Sequence, residues 1–149
     1  MKKVFLTLCS IALVLTMCSC SFKVMDDTIY IPREKVTSAA IQLEYKEEGK
    51  DSYYCQKEIT DSADLDEICA MIRKLPATKA SSEHPNPIEE ATIIVILRGQ
   101  KEHRLIMNEQ MAFFDQVAYE YTKDNAFERF LDFYNSIEYP EEKAEPSYY

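Results

Sequence analysis

The stretch of residues 92–98 constrains the fold most strongly, because it is apolar on both faces of any strand that it could form. Five aliphatic side chains follow one another at positions 93–97. A half-exposed strand would alternate apolar and polar residues, so this run predicts a strand in the middle of a sheet. We expect a helix to cover one side of it and a loop or helix to cover part of the other.

Further strands are predicted on both sides of this run in the sequence. Ile41, Leu43 and Tyr45 alternate with polar residues, a pattern typical of a half-buried strand. A turn containing Gly49 then leads back into a second strand, as in a hairpin. The predicted strands are residues 39–46, 52–59, 92–98, 103–108 and, as a short fifth strand, 111–115.

Two amphipathic helices complete the pattern. Asp61 can cap the first helix, in which apolar residues recur at three- and four-residue spacing until Pro76 ends it. Asn125 and Glu128 have the spacing of a capping box at the start of the second helix. The apolar stripe of this second helix consists of Phe127, Phe130, Leu131, Tyr134 and Ile137.

This order of elements, ββαββ(β)α, predicts an α+β fold. We expect an antiparallel sheet of four or five strands with both helices packed on one face. Residues 36–138 form the single predicted domain. A tether at residues 20–35 precedes it, and a disordered acidic tail at residues 139–149 follows it.

The beginning of the chain has the pattern of an export signal. A cationic start is followed by an apolar run at residues 4–17, which is too short to cross a bilayer as a helix. The sequence LTMCSC at its end resembles the lipobox of bacterial lipoproteins, in which a small residue precedes an acylated cysteine. Ser19 before Cys20 fits that pattern better than Met17 before Cys18, so we expect signal cleavage after residue 19 and a lipid on Cys20.

Net charge limits the classes of partner. The chain has a formal net charge of −9, and removal of residues 1–19 would take away two lysines and no acid, leaving −11. Nucleic acids and anionic lipid head groups are repelled by such a surface. We therefore expect no nucleic-acid partner. No cofactor motif is found in the sequence.

Two cysteines remain in the predicted domain. Cys55 lies with Tyr53 and Ile59 on one face of the second predicted strand, and Cys69 lies on the apolar side of the first helix. In an exported protein this even pair is compatible with a structural disulfide. Two buried free thiols are the alternative interpretation.

Several side chains are candidates for a functional site. His103 on the fourth strand could act as an acid or base near neutral pH. His84, together with the acids near it in the connection between helix and central strand, carries the ligand types of a divalent metal site, but a solvated loop explains these residues better, so we expect no metal there. A possible binding surface is formed by the tyrosines Tyr53, Tyr54, Tyr119 and Tyr121, although core packing and strand propensity explain them equally well.

The chain as a whole resembles the small membrane lipoproteins of Firmicutes such as clostridia, whose exported domain has no assigned function. The resemblance is carried by the lipobox and by the segments EITDSADLDEICAMIRKL, SSEHPNP, TIIVIL and FERFLDFYNSI. It implies an exported protein held by its lipid on the outer side of the cell membrane, or on the outer membrane in a Gram-negative source. It implies no activity.

The function predicted from the sequence is therefore a non-catalytic binding module of the cell envelope. Its expected partners are the membrane, through the lipid anchor, and an envelope protein or peptide. The alternative is a small envelope enzyme with a site near His103. An enzyme needs a pocket in which titratable groups converge, whereas a binding module needs an exposed apolar patch or a free sheet edge.

Overall fold

A computed structural model describes residues 29–80, 91–123 and 125–148. The described residues contain one sheet and two α-helices. The helices are α1, Ser62–Arg73, and α2, Ala126–Ser136, and a short 3-10 turn lies at Arg33–Lys35. The strands are β1 Val36–Tyr45, β2 Tyr53–Ile59, β3 Ala77–Lys79, β4 Ile93–Gly99, β5 His103–Met107, β6 Met111–Phe114, β7 Val117–Tyr121 and β8 Glu141–Ala144.

The eight strands form a single sheet in the order β3-β7-β6-β5-β4-β1-β2-β8, and every neighbouring pair is antiparallel. The expectation of four or five strands is wrong, although the fold is still a mixture of α and β. The apolar strand β4 lies between β1 and β5. As its sequence predicts, β4 is buried on both faces, with Ile94 and Val95 fully inaccessible to solvent.

The three strands that the sequence pattern missed lie at or beside the two edges of the sheet. β3 is only three residues long, and β7 follows a two-residue turn that contains no glycine. β8 consists of Glu141, Glu142, Lys143 and Ala144, a composition that would be unfavourable in the middle of a sheet. Charged side chains are common on edge strands, because they remain in water and discourage pairing with other chains. Residues 141–144, which were expected to belong to a disordered acidic tail, instead pair with β2 as an edge strand.

One hydrophobic cluster joins both helices to one face of the sheet. It includes Leu65, Ile68 and Cys69 of α1, and Phe130 and Tyr134 of α2, all at most 3% exposed. Burial of this apolar surface stabilises the fold, at roughly 25 cal/mol for each Å² removed from water.

Residues 29–35 belong to the folded domain, although they were expected to form part of the tether. Ile29 and Ile31 are buried in the main cluster. The 3-10 turn lies directly against Gly99, where a Cβ atom would come within 1.7 Å of the Lys35 carbonyl oxygen. Arg33 then connects the turn to α1 through an ion pair of 2.6 Å with Asp66.

The two helices begin differently. At α1 the carboxylate of Asp61 accepts hydrogen bonds from the amides of Ala63, at 2.8 Å, and Asp64, at 3.3 Å, which confirms the predicted cap. At α2 the side chain of Asn125 makes no capping hydrogen bond, so the predicted capping box is wrong. Asn125 has φ −103° and ψ 15°, outside the extended conformation that a capping residue usually adopts.

The end of α2 is bound by a buried lysine of the sheet. Lys57 lies on the face of β2 that is turned toward the helices, and its Nζ atom donates to the carbonyl oxygens of Tyr134, at 2.8 Å, and Ile137, at 2.9 Å. The same ammonium lies 4.6 Å from the centroid of the Tyr134 ring. Carbonyl groups at a helix C-terminus carry partial negative charge, and the aromatic ring attracts a cation, so both kinds of contact compensate the charge of the lysine.

We expect Lys57→Met to lower the free energy of unfolding by about 2–4 kcal/mol, because two helix-terminal carbonyls lose a charged donor. The matched control is Lys79→Met on β3, where the lysine is exposed and the change should stay within about 0.5 kcal/mol. Denaturant unfolding of the two variants measures both values. Equal stability of the two variants would show that the Lys57 contacts contribute nothing.

The turn between β6 and β7 forces two non-glycine residues into the left-handed region. Asp115 has φ 46° and Gln116 has φ 72°. The two strands pair directly on either side of these residues, through Phe114 and Val117, as in a two-residue hairpin. The carboxylate of Asp115 also accepts a hydrogen bond of 3.0 Å from the amide of Arg104, which helps to hold this conformation.

Replacement of Gln116 by glycine should therefore stabilise the protein by about 1 kcal/mol, because a left-handed conformation costs a residue with a Cβ atom roughly 1–2 kcal/mol. Gln110→Gly, in the neighbouring turn where φ is not positive, serves as the control and should be neutral or destabilising. Thermal melting of both variants checks the difference. A lower melting temperature for Gln116→Gly would contradict this account of the turn.

Candidate binding cleft

An open cleft of about 700 Å³ lies where β2 begins and the chain leaves β8. Its volume falls within the range of small-ligand sites. We call it the β2 cleft, and its lining residues are Glu44, Ser52, Tyr53, Tyr54, Lys143, Ala144, Glu145, Pro146 and Tyr148.

The cleft exists because the C-terminal segment changes direction after β8. Ala144 is the last residue that pairs with β2, opposite Tyr54. Pro146 follows two residues later, and proline has no amide hydrogen with which to continue a strand ladder. The chain then crosses the face of the sheet opposite the helices, where Ser147 donates its amide to Oε1 of Gln42 at 2.8 Å.

Gln42 anchors this crossing from the sheet. It lies on β1, and only 1% of it is exposed. Its amide nitrogen donates to Oε1 of Gln56 at 2.8 Å and to the carbonyl oxygen of Glu145 at 3.1 Å. A buried amide is expensive unless it is hydrogen-bonded, so these partners give the C-terminal segment a defined position on the sheet.

Two tyrosines form the aromatic wall of the cleft. The Tyr54 hydroxyl donates to the carbonyl oxygen of Ala91 at 2.5 Å. Because its one proton is used there, the Tyr148 hydroxyl, 3.1 Å away, must be the donor between the two tyrosines. The rings meet edge to face with centroids 6.3 Å apart. Burial, the Tyr148 hydroxyl and the charge of Glu44 all raise the pKa of Tyr54, so it stays a neutral donor.

Glu44 contributes a carboxylate with little exposure to water. Its side chain is 9% exposed, and its Oε2 atom is buried without a well-oriented hydrogen bond from any described residue. The ammonium of Lys46 lies 3.1 Å from that atom, but the Lys46 side chain is 70% exposed. A buried carboxylate is thus balanced by a lysine that extends over it from the surface.

Tyr53 lies on the opposite side of β2 from Tyr54. Its ring stacks on that of Tyr45, with centroids 5.6 Å apart. The ammonium of Lys143 is 4.9 Å from the Tyr53 centroid, a distance at which a cation is attracted to a ring.

The four tyrosines predicted as a binding surface are not brought together. β2 and β7 are separated by five strand spacings of about 4.8 Å, or roughly 24 Å. Tyr119 and Tyr121 pack against the main hydrophobic cluster, and the single proton of the Tyr121 hydroxyl is shared between the carbonyl oxygens of Asn108 and Met111, each 3.0 Å away. Only Tyr53 and Tyr54 line the cleft.

Tyr148, Glu44 and Lys46 were not among the residues predicted as functional. Tyr148 lies within the segment expected to be a disordered tail, and Glu44 was interpreted as an exposed residue of an alternating strand. A signal for Tyr148 was available in its aromatic character near the end of an acidic segment. No local signal marks Glu44, because the alternation of its strand places it on the polar face with Lys46.

His103 forms a hydrogen-bonded pair with Asp115. The two side chains are 2.6 Å apart, and the imidazole stacks on Phe114 at 5.7 Å between centroids. A carboxylate in this position orients a histidine in many hydrolases. Within the described ranges, however, no hydroxyl or thiol is hydrogen-bonded to His103, so the pair lacks a nucleophile.

The disulfide interpretation of Cys55 and Cys69 is not what the structure contains, since both are free and buried. Their surroundings differ: the nearby charges are Glu141 and Lys143 for Cys55, but chiefly Arg33 for Cys69. Burial raises the pKa of both thiols, which disfavours the reactive thiolate.

Other expectations fall on residues outside the described ranges. They include the lipidated Cys20 and the metal-binding interpretation of His84. In the part of the chain that the structure describes, no three histidine, cysteine or acidic residues are arranged to hold a metal ion. No helix among these residues is long and apolar enough to span a membrane.

Comparison with known proteins adds no relative: no family profile matches the sequence, and no match was found among curated proteins or solved structures.

Proposed function

We propose that this chain is an exported lipoprotein, anchored by Cys20 to the outer side of a membrane, that binds an envelope component without catalysis. The observation that carries the binding part is the β2 cleft, which is open, is lined by aromatic and charged side chains, and lies between a strand and the C-terminal segment. Aromatic residues with a polar group are favoured at binding surfaces, because one side chain supplies both apolar area and a hydrogen bond.

The sequence supports the anchoring part. The cationic start, the apolar run and the pair Ser19 and Cys20 form the pattern of a lipoprotein signal. Multiple acyl chains on one cysteine hold a protein on a membrane essentially permanently, at about 0.8 kcal/mol for each buried methylene group. The described domain begins to pack at Ile29, which leaves eight residues between it and Cys20.

The absence of a nucleophile beside His103, in the described residues, favours binding over catalysis. Asp115 also has a structural role, because its carboxylate accepts a hydrogen bond from the Arg104 amide and so holds the turn between β6 and β7. Loss of that carboxylate would therefore disturb the hairpin. The β2 cleft, by contrast, places charged groups where no such structural duty accounts for them.

The anchor is tested by metabolic labelling with an alkynyl fatty acid. We expect the wild-type chain to be labelled and to sediment with membranes, and Cys20→Ala to lose the label. Cys18→Ala is the matched control and should still be labelled. Persistent labelling of Cys20→Ala would contradict lipidation at that residue.

The binding cleft is tested by photo-crosslinking in cells that express the full-length chain. A benzophenone amino acid at the exposed Ser52 should give a discrete adduct, since Ser52 lines the cleft. The same group at Gln100, an exposed residue after β4, should give none. Equal crosslinking at the two positions, or none at Ser52, would contradict the assignment of the cleft.

A further inference from the structure

Resting on the proposed function, we infer that the β2 cleft binds a ligand carrying a protonated primary amine. The argument begins with Glu44. Removing a carboxylate from water is costly unless charged or hydrogen-bonding groups replace the lost hydration. The Oε2 atom of Glu44 has less than 1 Å² of exposed surface, yet no described residue gives it a well-oriented hydrogen bond.

The group that does approach Glu44 is itself a primary ammonium. Nζ of Lys46 lies 3.1 Å from Oε2, while the remainder of the lysine side chain is largely in water. An ion pair with so exposed a partner contributes little, because solvent screens it and the long side chain must be ordered. The lysine can therefore be displaced from the carboxylate at small cost by another ammonium.

A second lysine of the chain lies against an aromatic ring that lines the cleft. The ammonium of Lys143 lies over the Tyr53 ring, and Lys143 is exposed. The Glu44 carboxylate and the Tyr53 ring line the cleft from opposite faces of the sheet, and each is in contact with an exposed lysine of the same chain. These lysines show which chemistry the site accepts, and they occupy it in the absence of a ligand.

The shape of the cleft and the net negative charge of the protein both favour a ligand that carries an amine. The cleft is open at the surface, so an amine on a longer molecule can enter from solvent. The net charge of −9 gives the protein a potential that attracts cations. The Tyr54 and Tyr148 rings supply apolar walls for the methylene groups that carry such an amine.

Because Lys46 competes with the ligand, the inference predicts opposite effects of two neighbouring substitutions. Glu44→Gln removes the charge and should weaken amine binding about tenfold, since charge-assisted hydrogen bonds are roughly twice as strong as neutral ones. Lys46→Met removes the competitor and should strengthen binding, by about threefold or more. A merely structural role of the Glu44 pair would not make these two changes opposite in sign.

The experiment is calorimetric titration of the full-length chain, and of both variants, in a neutral detergent. The probes are 1,5-diaminopentane, a lysine-containing hexapeptide, and the same hexapeptide with its amines acetylated. Binding of the unmodified peptide alone assigns the amine to a peptide, and binding of the diamine assigns it to a free amine. Lys46→Met is a substitution of an exposed residue, so this variant should fold even if Glu44→Gln does not.

Three results would overturn the inference. They are binding of the acetylated peptide as tight as that of the unmodified one, no binding of either amine probe, and unchanged or weaker amine binding in Lys46→Met. If any one of these results is found while Ser52 still forms its crosslinked adduct in cells, the cleft binds a ligand of other chemistry and the proposed function stands. If the adduct is also missing, the proposed function fails as well.

Discussion

The path of the chain after α2 depends on the ammonium of Lys57. It binds two carbonyl oxygens at the end of α2, so the helix ends at a defined point over β2. The chain that leaves the helix is then close enough to pair with β2 as the edge strand β8. Without a cation there, the helix terminus would be buried with unsatisfied carbonyls, and the path to β8 would lose its starting point.

The central strands are buried on both faces, and the C-terminal segment covers part of the face away from the helices. β1 and β4 place Ala40, Ile94 and Ile96 on the face away from the helices, and all three are at most 2% exposed. Tyr148 packs against this second cluster, and Ser147 bonds to Gln42 nearby. The cleft lies where this crossing segment departs from β2, so the covering of the sheet and the proposed site have the same structural origin.

The cleft combines features that a folded protein would otherwise avoid. The largely buried carboxylate of Glu44 is paired with the exposed Lys46, and the exposed Lys143 lies over the Tyr53 ring, which also stacks on Tyr45. Such balancing contributes little to stability, because exposed ion pairs are screened by water and salt. A site of this kind loses little when a ligand replaces the lysines, which is the physical basis for proposing that it binds an amine.

The sequence by itself determined the central strand at residues 93–97, the first hairpin, the Asp61 cap and the two apolar helix faces, because each depends on periodicity or on contacts within one turn. Tertiary structure decided the remainder. The acidic strand β8 forms because β2 offers an unpaired edge, the buried Lys57 is tolerated because a helix ends above it, and Tyr148 reaches Tyr54 because the C-terminal segment crosses the sheet. Local periodicity predicts neither the role of Lys57 nor the position of Tyr148, because their hydrogen-bond partners lie 77 and 94 positions away in the sequence.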